Sequence, residues 1–186
     1  MPGTNIDRNQ LLIDKVEQIL HELADESVAS ENTVYLVDMD IKHGQGEEII
    51  SIFLDTDRGI DIDQCKNISR LIADTFESDP SVSERLTSKY RLEVSSPGLA
   101  RPLKLVRQYK KNIGRLLQVK HKNEENKYQV IEGTLEKIDW LENQIKSLTL
   151  NITKVDKSRP NAKPKPPELV VIPFNQVVET KVKVSF

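Results

Sequence analysis

The chain has a single cysteine among its 186 residues, Cys65, which excludes an internal disulfide and fits a reducing compartment. Cys65 lies in a helical pattern with Ile68, Leu71 and Ile72, where a small core residue is the expected role and a reactive thiol is not. No apolar run approaches the roughly 18 residues that cross a bilayer. The opening residues Met1-Pro2-Gly3-Thr4-Asn5-Ile6-Asp7-Arg8 lack the basic and apolar regions of a signal peptide. The expectation is a cytosolic protein with no membrane partner. The three histidines, His21, His43 and His121, have no second ligand at metal-binding spacing, so no metal site is assigned. There is no Walker loop and no G-x-G-x-x-G, and no cofactor is expected.

What is present is an uneven distribution of charge. The formal net charge is only −2. Residues 1–100, however, hold nine Lys+Arg against twenty Asp+Glu, a net of −11, and residues 101–186 hold eighteen against nine, a net of +9. The basic half attracts phosphate and the acidic half suits a basic protein. The alternative is that the halves attract each other, an effect that salt would screen.

Hydrophobic periodicity divides the chain in the same place. Leu12, Val16, Ile19, Leu20 and Leu23 recur at helical spacing over residues 9–26. Val37, Met39 and Ile41 alternate with polar residues, a second apolar run spans residues 49–54, and Gly44 and Gly46 lie between them, which predicts a β-hairpin. Asp61 is placed to cap a second helix, with Gln64 completing a capping box and Ile60 stapling onto Cys65; Ile68, Ile72 and Phe76 carry that helix to about residue 77, where Asp79-Pro80 stops it. Tyr90, Leu92 and Val94 predict a third strand. The expected domain, residues 1–98, is therefore α-β-β-α-β, two helices on one face of a three-stranded sheet.

Residues 99–186 read differently. Leu103, Val106 and Tyr109 predict one or two helical turns ended by Gly114. Strands are expected at 117–121, 128–138, 145–153, 169–172 and 178–186, with turns at 123–126 and 139–143. Gly133 permits a sharp bend. Five short strands without a covering helix point to a small closed or nearly closed β-barrel. Residues 156–168, rich in proline and basic residues, are expected to form an exposed inter-strand loop. The loop is either a basic finger for phosphates or a tolerated insertion.

Between the two lies LEVSSPGLARP, residues 92–102. Neither Ser95 nor Ser96 has the preceding glycine of a nucleophile elbow, and the histidines are scattered. Catalysis there is not expected. As a joint the same residues have a physical role: the Ser95 and Ser96 hydroxyls can bond nearby backbone, Pro97 fixes one dihedral, Gly98 permits a positive one, and Pro102 holds Arg101 extended. The carboxylates Asp38, Asp40, Asp55, Asp57, Asp61 and Asp63 leave a metal-dependent nuclease as a minor reading, because a helix N-terminus and a wet strand face account for most of them. A KH-type RNA module is disfavoured by the absence of G-x-x-G and by the acidic charge. In the basic half, Arg101, Lys104, Arg107, Lys110, Lys111 and Arg115 interleave with Leu103, Val106 and Tyr109. Apolar residues at that spacing face the core and leave the cations outside, where they either contact phosphates or simply form a solvated face.

The phrase YRLEVSSPGLARPL, Tyr90 to Leu103, resembles the signature of the ribosome maturation factor RimP family, as do TVYLVDMDI, GIDIDQCKNISRLI, QYKKNIGRLLQV and IPFNQVVETKVKV in their order and spacing. The resemblance covers nearly the whole chain. It implies an N-terminal α/β domain, a C-terminal Sm-like (SH3-like) β-barrel over 99–186 and no enzymatic activity. It further implies a monomeric assembly factor that binds the free small ribosomal subunit late in its maturation. The partners expected on that basis are a small-subunit precursor, its ribosomal RNA and a basic small-subunit ribosomal protein. A generic RNA-binding protein without ribosomal preference is the alternative. Ala100 stands where the family usually has an acidic residue, and residues 156–168 are longer than in many relatives.

Overall fold

Leu12, Val16, Ile19 and Leu20 are all buried, as a helix with one apolar stripe requires, and they form the inner face of α1 (Arg8–Glu26). The computed structural model describes residues 7–26, 33–44, 46–87, 89–152 and 166–184. The chain divides into two compact units, Met1–Pro97 and Gly98–Phe186.

In the first unit, β1 (Tyr35–Gly44) and β2 (Glu47–Asp55) form an antiparallel hairpin, with Gly46 at a φ of 86° in the turn, where a side chain would be strained. The helix α2 (Ile62–Ser78) then returns the chain so that β3 (Tyr90–Ser95) lies parallel to β2, a connection that parallel pairing demands. The sheet order is β1-β2-β3. Central β2 contributes Ile50, Ile52 and Leu54, each fully buried, and they share one core with the α1 stripe and with Ile68, Ile72, Phe76 and Val82. Both helices therefore cover the same face. Asp61 caps α2 as a capping box: its carboxylate accepts from the Gln64 backbone N–H at 2.7 Å while Gln64 Oε1 accepts from the Asp61 N–H at 3.1 Å.

Asp79-Pro80 does more than stop α2. Asp79 is the C-cap of α2 and also the N-cap of a further short helix, α3 (Pro80–Ser83), which the sequence reading lacked. Proline is suited to a first helical position because its missing N–H would go unbonded there. The Asp79 carboxylate accepts from Ser81 N at 2.9 Å and from Ser81 Oγ at 2.7 Å.

The second unit opens with α4 (Val106–Lys111) and continues as β4 (Leu116–Lys122), β5 (Tyr128–Leu141), β6 (Gln144–Asn151), β7 (Leu169–Pro173), a 3₁₀ turn at Phe174–Gln176 and β8 (Val177–Val182). These strands form one antiparallel sheet in the order β7-β6-β5-β4-β8. All five supply one core, including Leu117, Val119, Leu135, Leu148, Leu150, Ile172 and Val182. Among the described residues no ladder joins β7 to β8. The fold class is thus mixed α+β, with a three-stranded and a five-stranded sheet.

Two details correct the sequence reading. The expected turn at 139–143 is only two residues, Glu142 and Asn143, with φ of 50° and 60°. Positive φ at both central positions is what a tight hairpin turn needs, so Asp139, Trp140 and Leu141 remain in β5. Gly133 is required for room as well: a Cβ there would lie 2.8 Å from the Asn151 carbonyl oxygen, at the point where β5 exchanges β4 for β6 as partner. The Pro/Lys-rich segment 156–168 lies outside the described residues except for 166–168, which are exposed. No helix among the described residues is long and apolar enough to cross a membrane.

Candidate nucleic-acid interface

The residues assigned to a joint fall at the boundary of the units. Ser95 is the last residue of β3, paired with Phe53, and both Ser95 and Ser96 are exposed. Gly98 adopts a φ of 64° with open space around it. Arg101 and Pro102 are half-buried, and the next residue, Leu103, donates its N–H to Thr180 O at 2.8 Å, which ties the start of the second unit to β8.

The cationic cluster is organised by α4. Leu105 at the N-cap has no polar side chain, so Gln108 takes the task from within the first turn: its Oε1 accepts from Lys104 N at 2.8 Å and Leu105 N at 3.0 Å. Tyr109 is 1% exposed, stacks edge-on against Phe174 at 5.6 Å, and donates its hydroxyl to Leu103 O at 3.4 Å. Burial pushes its phenol pKa upward. Leu103 and Val106 pack on the same core. The threefold spacing therefore turns its apolar side inward, leaving Lys104, Lys110 and Arg115 exposed and Arg101, Arg107 and Lys111 half-buried. Arg115 is oriented by Asn112, whose Oδ1 accepts from its guanidinium at 3.2 Å; Asn112 in turn donates to Gln108 O at 2.8 Å. Lys110 and Arg115 make no ion pair among the described residues.

The structure brings an aromatic to this cluster that sequence reasoning missed. Lys110 Nζ sits 4.1 Å from the ring centroid of Trp140, a half-exposed side chain near the end of β5. Assigning 139–143 to a turn hid it; the signal that finds it is Asn143, whose tolerance of positive φ lets the strand run on to Leu141. Cations and aromatic faces side by side are the elements of a nucleic-acid surface.

The acidic unit carries a separate feature, a groove of about 990 Å³ between α2 and β3. Its floor includes Ile60, Cys65, Leu92 and Val94, its rim Asp61, Asp63 and Glu93, and Ser95 and Ser96 line one end. Lys66 and Arg70 also line it, so the rim is not of one sign. Burial, with Asp61 and Asp55 nearby, pushes the Cys65 thiol pKa up, which keeps it protonated and unreactive. At the other end of the sheet Glu48, 1% exposed, is paired with Arg8, and hydrogen bonding from that guanidinium holds its carboxyl below the usual range despite burial. No group of three or more His, Cys, Asp or Glu among the described residues could hold a metal ion.

Residues 24–100 match the RimP N-terminal domain. Over its greater length the chain is similar to ribosome maturation factor RimP of Prosthecochloris aestuarii, 31% identical across 94% of this chain and 97% of that one. It is 32% identical to ribosome maturation factor RimP of Chlorobium chlorochromatii, across 89% and 95% of the two chains, and 31% identical to that of Christiangramia forsetii, across 95% and 100%. With its N-terminal unit matched by the family's domain and both units covered by relatives at this identity, the chain belongs to the ribosome maturation factor RimP family.

Proposed function

We propose that this protein binds the free small ribosomal subunit in the cytoplasm and promotes its late maturation without covalent chemistry. The family, one of maturation factors and not of enzymes, supports a role in ribosome assembly. The observation that carries the finer reading is the contrast in charge: a first unit of net −11 and a second of net +9. The basic unit, through Arg101, Lys104, Arg107, Lys110, Lys111 and Arg115, contacts ribosomal RNA. The acidic unit, with its groove along β3, receives a basic small-subunit ribosomal protein. The factor acts as a monomer and favours one arrangement of immature RNA and protein by its higher affinity for that arrangement.

We read the second unit as an Sm-like fold. Its support is the leading helix α4 and a sheet in which the last strand, β8, returns beside the first, β4. Residues 95–98 with Arg101 and Pro102 serve as the stiff joint between domains, and no catalytic role falls to the two serines.

The test is direct. Reversal of Arg107, Lys110 and Lys111 to glutamate lowers affinity for purified small subunits by about tenfold or more, while the circular dichroism spectrum is unchanged. Undiminished binding by that variant would place the contact elsewhere. Equal recovery of small subunits, large subunits and unrelated folded RNA by the native protein would favour a generic RNA-binding protein instead.

A further inference from the structure

We infer that Tyr128, flanked by Lys120 and Lys122, is a stacking site for one unpaired nucleotide of RNA. Antiparallel pairing sets Lys122 directly opposite Tyr128 and Lys120 opposite Val130. The alternate β4 residues Val119 and His121 are buried, so the lysines, the tyrosine and the valine share the outer face of the sheet. The turn that establishes this register is fixed by Asn123, which exchanges backbone and side-chain bonds with Lys127, and by Asn126 at a φ of 63°.

That face is unusually open. Tyr128 is 62% and Val130 58% exposed, on a stretch of β5 that pairs with β4 alone, because β6 joins only from Thr134 onward. Lys120 Nζ lies 5.0 Å and Lys122 Nζ 5.6 Å from the tyrosine ring centroid. Neither lysine makes an ion pair among the described residues; the carboxylate opposite Lys120, Glu179, is taken by Lys181 at 2.5 Å. The Tyr128 hydroxyl likewise makes no hydrogen bond among the described residues. An exposed cation–π contact is weak, so either ammonium can leave the ring for a phosphate at little cost.

An exposed ring bordered by two cations that make no ion pair among the described residues matches a base with its flanking phosphates. A duplex offers no free base face, so the ligand is a single-stranded or bulged segment. A protein adding a strand to the open edge of β5 would use backbone groups and has no need of the ring or the cations. The inference rests on the reading that the basic unit contacts RNA, and deepens it by naming a site outside the α4 cluster.

The experiment uses the full chain and a labelled single-stranded RNA octamer, with the same octamer in a duplex as comparison, read by fluorescence anisotropy. Tyr128→Ala weakens single-strand binding roughly 5- to 100-fold, Tyr128→Phe retains it within about twofold because stacking needs the ring and not the hydroxyl, and duplex binding is unaffected by either. Replacing Lys120 and Lys122 by alanine makes the slope of log affinity against log salt shallower by about 1.4, at about 0.7 per single-strand phosphate contact. Unchanged single-strand affinity in Tyr128→Ala, or an equal loss in Tyr128→Phe, overturns the site. If Tyr128→Ala binds the octamer normally while the α4 charge reversal still loses small subunits, the stacking site alone fails. Native protein that binds neither RNA nor small subunits refutes both.

Discussion

Asp79 shows how much a single side chain decides. It ends α2, begins α3 and accepts a bond from Lys15 Nζ at 2.8 Å, which ties α1 to the point where the other two helices meet. That bond, followed by those from Ser81, lowers its carboxyl pKa to about 2. The ordinary aspartate in an unfolded chain titrates near about 3.9. The folded state therefore binds the proton less readily, and the stabilisation is complete above about pH 4 and lost as the pH falls through about 2. Asparagine keeps a capping oxygen but not the charge. Compared by urea unfolding at each pH, the native protein should exceed Asp79→Asn in stability by a constant margin above about pH 4, and the margin should close by about pH 2. A margin that did not change with pH would mean that the Lys15 contact contributes nothing. The sequence allowed Asp79-Pro80 to be read as a stop, but not as a start, because the short helix beyond it contains only four residues and has no periodicity to recognise.

At the level of elements, α1, α2 and the first hairpin were legible because one face is buried and the other wet: the spacing of Leu12 to Leu20 and the capping box at Asp61 state a helix without knowledge of its neighbours. The strands of the second unit were legible in number and less so in extent. Their ends depend on turn geometry, as Glu142 and Asn143 show, and on where one strand changes partner, as Gly133 shows. That partner change makes Gly133 testable. A methyl group 2.8 Å from a backbone oxygen cannot be relieved by a side-chain rotation, so Gly133→Ala should lower stability by about 1–3 kcal/mol, seen as an earlier urea midpoint. An unchanged midpoint would show that β5 and the chain at Asn151 have freedom to separate. The candidate interface was only half legible for the same reason: the cations of α4 are close in sequence, whereas Trp140 reaches Lys110, and Tyr128 reaches Lys120 and Lys122, through pairings that a linear reading does not contain.

For the whole molecule the dominant quantity is the division of charge between two units whose sum is nearly neutral. A net of −2 hides a basic unit able to release counterions from RNA and an acidic one repelled by it, which is why overall isoelectric point says little about its partners. On the proposed function the consequence is orientation: the second unit turns to phosphate and leaves the first for a basic protein. The measurement closest to this claim is cosedimentation of the full chain with purified small subunits across a salt series. Affinity should fall at least about tenfold between 50 and 200 mM salt, linearly on logarithmic axes, with large subunits left unbound. A response that stays flat with salt would contradict it.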